Sequence, residues 1–354
     1  MKLVVVTQLL DTSDAVLGFV MRWIQGLSLH CERVRVLALE VGDLEGLPPN
    51  VDLRVIGRKG RLLRLLRYRR YLTQAFQRDG FDTLLTHMVP RYSTLGDGLA
   101  RRHGAGHYLW YTHKGVDRRL RRAVQVVDKV FSASRESMRV ETDKLVVTGH
   151  GIDLEHFDAA GAAPADPPRL LAVGRLTAAK DALTLVEALA ALRTDGRKVS
   201  LDWAGGALAP GDEEYAQRVR ARIRELDLES AVRLLGPVPY ARIAEHYRQA
   251  TLLLSASRTG SVDKVVLEAM ACGRPPVTSG EAYPPLLAGL GEQARALTFP
   301  PGDVTALSQR VGALLDRTQA ERDALGVRLR SIVRADHEVD ALMGRLVREM
   351  GGDA

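Results

Sequence analysis

The sequence predicts an α/β protein built from two doubly wound, parallel-sheet domains. Three observations predict it. Short β-branched runs alternate with longer stretches of helical spacing, the pattern of strand–helix–strand units whose parallel strands need crossover helices. The alternation breaks once, at "DAAGAAPADPP" (158–168), which is rich in Ala and Pro and has no apolar period, and then restarts. A chain of 354 residues is also long enough for two domains of ordinary size.

In the first half, "KLVVVTQ" (2–8) reads as a buried strand and 16–31 as a helix. "RVRVLALEV" (33–41) and "VDLRVIG" (51–57) read as strands, followed by a basic helix within 57–72. "FDTLLTHM" (81–88), a helix near 92–103, "GHYLWYTH" (106–113) and "DKVFSAS" (128–134) continue the series. A short helix and "KLVVTGHGID" (144–153) close it. After the break come strands at 169–175, 199–205, 231–236, 250–256 and 275–279. Helices at 181–194, 213–226, 240–249 and 263–272 alternate with them, and a helical stretch starts near 303. The expected boundaries are 1–160 for the first domain and 161–335 for the second. A closing helix in 336–354 is expected to pack back on the first. In paired domains of this kind the ligand sits at the carboxyl ends of the strands.

Composition narrows the function classes. The chain is 46% hydrophobic and 26% charged, ordinary for a globular protein. Two distant cysteines, Cys31 and Cys272, give neither a disulfide framework nor a metal-ligand spacing, which fits a reducing, cytoplasmic setting. No apolar run approaches the roughly 20 residues of a membrane span, and "MKLVVVTQLLDTSD" reads as a first strand rather than a leader. The net charge of +7 favours an anionic partner. Nucleic acid is not expected, because no aromatic-interleaved stacking platform or reader motif is present.

Two stretches carry the chemistry. In "LLAVGRLTAAKDALTLVEAL" (170–189), Gly174 lets the backbone turn closely and Arg175 and Lys180 follow at a strand's carboxyl end. Two cations there suit a diphosphate; the plainer reading is a helix-capping arginine and a solvated lysine. In "SRTGSVDKVVLEAMACGRPPVTS" (257–279), Gly260 and Ser261 allow close approach, and a helix starting near Asp263 offers free N–H groups and a positive dipole end. Glu268 either faces the crevice, where it can accept hydrogen bonds from a ribose diol, or is a surface acid.

Together "VGRLTAAKD", "VTGHGIDLEHF" and "SASRTGSVDKVVLEAMACGRPPVTS" resemble glycosyltransferase family 4, the retaining nucleotide-sugar transferases of GT-B fold, in which two Rossmann-like domains face each other across a cleft. The resemblance covers most of the second half and extends more weakly to the first. It implies that Arg175 and Lys180 hold the donor diphosphate and that Glu268 holds the ribose. It places the base near Leu235 to Val238. The family commonly carries another glutamate eight residues before Glu268, and here that position is Gly260. Ser261 and the Asp263–Lys264 backbone are the expected substitutes for donor contact.

Acceptor-side candidates lie in the first half. The loop after the first strand carries Asp14, which is either near the acceptor or a plain helix cap. His113 and Lys114 end an aromatic-rich strand, and the resemblance sets His113 against the donor sugar. His87 and His150 are further candidates; the three histidines share no ligand spacing, and no metal or other cofactor is expected. The segment 58–72 carries seven basic residues and no acid, with Leu62, Leu65, Leu66 and Leu72 as an apolar stripe. It reads as a helix for an anionic membrane surface, or as a solvated face over a core stripe. Arg118, Arg119, Arg121 and Arg122 form another basic cluster.

The resulting expectation is a cytoplasmic glycosyltransferase, peripheral on the inner face of the membrane. It would transfer a sugar from a nucleoside-diphosphate sugar to a glycan or lipid-linked acceptor. The rivals are a nucleotide-sugar epimerase on the same fold, which would turn over donor alone, and a catalytically weak nucleotide-sugar-binding partner subunit, which would bind without turnover.

Overall fold

The computed structural model describes residues 1–159, 164–207, 209–258 and 260–352. Residues 160–163 of the expected break at 158–168 lie outside the described residues. The chain divides into two compact units, one made of Met1–Gly151 with Asp336–Ala354, the other of Ile152–Ala335.

Unit 1 is built on β1 (Lys2–Leu10), β2 (Arg33–Val41), β3 (Val51–Val55), β4 (Thr83–His87), β5 (Gly106–Trp110), β6 (Lys129–Ser132) and β7 (Leu145–Val147). The order is β3-β2-β1-β4-β5-β6-β7, all parallel. Leu3, Val4, Val5 and Val6 in β1 are all buried, as a parallel strand covered on both faces requires. The crossovers carry α1 (Phe19–His30), α2 (Arg61–Gln77), α3 (Pro90–Arg102) and α4 (Arg118–Val126).

Unit 2 holds β8 (Arg169–Val173), β9 (Ser200–Ala204), β10 (Val232–Gly236), β11 (Leu252–Ser255) and β12 (Pro276–Thr278), parallel in the order β10-β9-β8-β11-β12. Its helices are α5 (Ala182–Thr194), α6 (Pro210–Glu225), α7 (Tyr240–Gln249), α8 (Lys264–Ala271), the one-turn α9 (Tyr283–Leu286) and α10 (Gln293–Ala296), and α11 (Val304–Leu315). Then α12 (Gln319–Asp336) carries the chain back to unit 1, where α13 (Val339–Glu349) completes the fold. In both sheets the strand order reverses beside the first strand, between β1 and β4 and between β8 and β11. Such switch points open crevices at the strands' carboxyl ends.

Three local readings change. The short helix expected after the strand at 128–134 is absent; the helix is α4, before it. Asp117 caps α4 by accepting from Leu120 N at 2.7 Å, and Leu120, Ala123 and Val124 form its buried face. Four arginines in nine residues obscure that face in the sequence. The strand expected at 106–113 stops at Trp110, because His113 N turns away to donate to Ser137 O. The helix expected from 16 starts at Phe19, because Asp14 Oδ1 accepts from Val16 N and Leu17 N and holds a turn ahead of it.

The segment 336–354 is part of unit 1. Val339, Leu342, Met343, Leu346 and Val347 of α13 are fully buried. A Cβ on Gly26 of α1 would lie 2.7 Å from Met343 Cγ, so the two helices cross where α1 has no side chain. Arg22 pairs with Asp340 at 2.6 Å beside this crossing.

Unit 1 encloses two histidines whose imidazoles burial holds down at about 4, His107 and His337. Asp97, 3.9 Å from His107, opposes the shift without cancelling it. Both rings are neutral in the fold, whereas an unfolded histidine takes a proton near 6.5. Their contribution is therefore complete above pH 6.5 and is lost as pH falls toward 4, by about 3 kcal/mol per ring. Urea midpoints at pH 7 and pH 4.5 should differ accordingly, and His337→Gln should flatten the profile. Equal midpoints would show that the rings accept protons in the folded state.

Candidate functional site

The switch point of unit 2 lies between β8 and β11, and the loops that follow these two strands contain the residues singled out in the second half. Gly174 has φ +137°, a conformation open to glycine, and its carbonyl accepts from Trp203 Nε1 at 2.8 Å. The alkyl chain of Lys180 lies over it. A Cβ at Gly205 would sit 2.0 Å from Gly174 O, so β8 and β9 end in a backbone floor with no side chains between them. Gly205 N donates to Gly236 O at 2.7 Å, which extends this floor to the Gly236–Val238 turn.

Arg175 projects from this floor with its side chain 55% exposed, 4.0 Å from Asp212. Lys180 Nζ lies 2.5 Å from Asp263 Oδ2, the two side chains 20% and 18% exposed. Asp263 is the residue before α8, yet its carboxylate makes no capping bond and serves Lys180 instead. Tyr283 Oη fixes the backbone here: it accepts from Asp263 N and donates to Asp263 O, both at 2.7 Å. Burial raises its phenol well above the ordinary range. Ser261 Oγ is enclosed and, among the described residues, makes no hydrogen bond. Gly260 has φ +67°, which a side-chain-bearing residue would adopt only with strain.

Glu268 is not a surface acid. It is 5% exposed on α8, with Oε1 3.2 Å from Lys264 Nζ and Oε2 accepting from Tyr247 Oη at 2.8 Å. Lys264 lies 4.8 Å over the Tyr240 ring, which stacks on His156. Burial lowers the Lys264 ammonium, while the Glu268 charge pulls the other way. Burial first, then Glu268, pushes the Tyr247 phenol well up. A second clamp joins the loops: Arg258 donates to Asp181 Oδ2 through Nε and Nη2, at 3.0 and 2.6 Å, and Arg258 N donates to Ala179 O. Sequence reasoning missed Tyr247, Tyr283, Asp181 and Arg258. Only the charge on the last two was a signal, since buried tyrosines read as core.

In unit 1 the candidates separate. His113 is exposed in the loop after β5, its Nδ1 accepting from Gly115 N at 2.9 Å, with Lys114 half-buried beside it. His87 ends β4 but is enclosed, with Nδ1 3.1 Å from Thr7 Oγ1 and the rings of Phe19, Trp23 and Trp110 around it. His150 is buried against Trp110, its backbone N–H donating to His337 Nδ1. His87 and His150 thus belong to the aromatic core around Trp110, and Asp14 serves as a turn cap. Among the described residues no group of three or more His, Cys, Asp or Glu side chains is placed to hold a metal ion.

Residues 167–317 match the family model described as Glycosyl transferases group 1. A D-inositol 3-phosphate glycosyltransferase of Kineococcus radiotolerans is 35% identical over 208 residues, 52% of this chain and 46% of that protein. The amylovoran biosynthesis glycosyltransferase AmsK of Erwinia amylovora is 29% identical over 219 residues, 60% of this chain and 51% of that one. The chain thus spans about half the length of these curated relatives. In fold it is similar over 99% of its length to all of Anabaena Alr3699/HepE, solved in complex with UDP, at TM-score 0.76 and 17% identity. Residues 167–317 thus match the group 1 glycosyl transferases, and the two parallel, Rossmann-like sheets of the chain are those of the GT-B fold.

Proposed function

We propose that the chain is a retaining glycosyltransferase that moves a sugar from a nucleoside-diphosphate sugar to an acceptor hydroxyl in cell-envelope glycan or glycolipid synthesis. The observation that carries this reading is the convergence of Arg175, Lys180 and the start of α8 at the switch point of unit 2. The two cations and the free N–H groups of α8 receive the diphosphate, and Glu268 accepts from the ribose diol. As the bond between the anomeric carbon and the phosphate oxygen breaks, charge grows on the leaving diphosphate and these groups stabilise it. The acceptor oxygen attacks from the same face, and its proton passes to the departing phosphate oxygen. The products are the glycoside and the nucleoside diphosphate. No metal enters the proposal, since two side chains and a helix end supply the positive charge.

UDP, GDP and ADP should be screened by thermal shift; a nucleotide at 100 times its dissociation constant adds about 2.7 kcal/mol. The UDP in the Alr3699/HepE complex makes UDP the first choice. Release of the nucleoside diphosphate with an acceptor, and the anomer of the product, then test transfer and retention. Failure of all three nucleotides to bind would end this reading. Gly260 favours a second reading, a nucleotide-sugar-binding subunit, which would bind the nucleotide and transfer nothing.

The Lys180–Asp263 pair has a consequence for affinity. A diphosphate on Lys180 meets the Asp263 carboxylate, and two like charges about 6 Å apart repel by roughly 1–3 kcal/mol at an effective dielectric near 20. Asp263→Asn should therefore tighten nucleoside diphosphate binding about tenfold, without loss of a cap. Calorimetry showing weaker binding would place the phosphates away from this pair.

We further propose that α2 rests on an anionic membrane from the cytoplasmic side. Leu62, Leu63 and Leu66 are 70%, 49% and 56% exposed among Arg61, Arg64, Arg67, Arg69 and Arg70. The apolar stripe differs from the expected one, because Leu72 is fully buried in the core. No helix among the described residues is long and apolar enough to cross a membrane. Each basic residue at an anionic surface contributes about 1 kcal/mol. The protein should sediment with vesicles containing anionic lipid at low salt, and replacing the three leucines by serine should release it with no loss of stability. Equal sedimentation of the triple variant would leave charge alone as the attraction.

A further inference from the structure

A groove of about 660 Å³ opens at Gly260, beside the loop assigned above to the donor. Its floor is Thr278, Ser279 and Gly280 at the carboxyl end of β12. Three guanidinium groups line it from three separate elements: Arg258 after β11, Arg295 on α10 and Arg310 on α11. The one acid in the lining is Glu281. Among the described residues, the guanidinium groups of Arg295 and Arg310 make no hydrogen bond or ion pair with the protein, while that of Arg258 is held in place by Asp181 behind it. Pro284, Pro300 and Pro301 stiffen the rim.

Arginines that only solvate a surface gain nothing by converging on one concavity, where they repel each other. A cleft lined by one sign of charge focuses its field on a ligand of the opposite sign, and a guanidinium fork matches a planar oxyanion in two parallel hydrogen bonds. At Gly260 the backbone is left-handed and carries no side chain, and a carboxylate there would oppose an anion entering the groove. Arginines lie beyond this position.

We infer that this groove binds a carboxylate, or a like oxyanion, carried by the transferred sugar. The donor is then a nucleoside-diphosphate sugar of acidic type. This rests on the donor-site reading above and adds the class of sugar. Arg295 and Arg310 read the charge, and Arg258 keeps its structural partner.

Calorimetry on the full chain with two matched pairs, UDP-glucose against UDP-glucuronate and GDP-mannose against GDP-mannuronate, tests it, with UDP, GDP and ADP measured alone. On the base the protein accepts, the acidic sugar nucleotide should bind about tenfold more tightly than its neutral counterpart, the scale of one charge-assisted contact. The Arg295→Gln/Arg310→Gln variant should erase that preference and leave the affinity for the bare nucleoside diphosphate unchanged. Equal binding within both pairs, a preference for the neutral member, or a preference that survives in the double variant would each overturn the inference while the donor site stands. Binding of ADP with neither pair would do the same. Binding of no nucleotide at all would remove both readings.

Discussion

Arg175→Ala and Lys180→Ala should each cut sugar transfer by about 10²- to 10³-fold, the loss of ~2.7–4 kcal/mol that follows removal of one preorganised contact to developing charge. The effect should fall on turnover more than on the Michaelis constant, because the diphosphate carries more charge as it leaves than in the bound donor. Stability should hardly respond in Arg175→Ala and should fall in Lys180→Ala. Arg175 is more than half exposed and 4.0 Å from Asp212, an arrangement of little energetic weight. Lys180 loses its packing over Gly174 and its largely buried pair with Asp263, whose carboxylate is left without a counter-charge. Steady-state kinetics and melting curves on the two variants together decide the matter. Wild-type turnover in either one removes that side chain from the diphosphate site.

Glu268→Ala should act on the fold and on the ligand at once. Its two oxygens hold the Lys264 ammonium and the Tyr247 hydroxyl inside unit 2. Taking the carboxylate away leaves a buried cation without its counter-charge, which costs about 3–5 kcal/mol. The ribose contact should cost roughly 1.5–3 kcal/mol more in nucleotide affinity. The double variant Glu268→Ala/Lys264→Met separates the two effects, since it removes the orphaned cation and should regain much of the stability without regaining the affinity. Recovery of nucleotide binding in the double variant would mean that Glu268 acts only by holding α8 in place.

Much of this was legible in the sequence because parallel strands buried on both faces are written as unbroken β-branched runs. "KLVVV", "RVRVL" and "ATLLL" leave little room for another reading. The place of Gly174, Arg175 and Lys180 just after a strand's carboxyl end was legible too, from the apolar run that precedes them. What the sequence concealed were partnerships across long separations. Lys180 and Asp263 are 83 residues apart, and nothing in either stretch announces that the second neutralises the first. Tyr247 and Tyr283 have the composition of core residues and act as hydrogen-bonding props. His87 and His150 showed the opposite failure. Histidines at strand ends read as site residues, yet the aromatic rings that enclose them come from α1 and β5.

The division of the chain, with unit 1 interrupted by unit 2, bears on how the protein is made. Unit 2 is one continuous stretch, Ile152–Ala335, and can fold as soon as it has left the ribosome. Unit 1 cannot, because α13 emerges about 300 residues after the α1 helix it covers. At ordinary synthesis rates that is a wait of roughly 15–60 s. Through it Met343 is still untranslated, and the side of α1 around Gly26 that it will cover stays bare. The nascent chain is thus most in need of a chaperone at α1. A premature stop codon between residue 336 and the start of α13 would release a completed unit 2 attached to a unit 1 whose α1 is left uncovered.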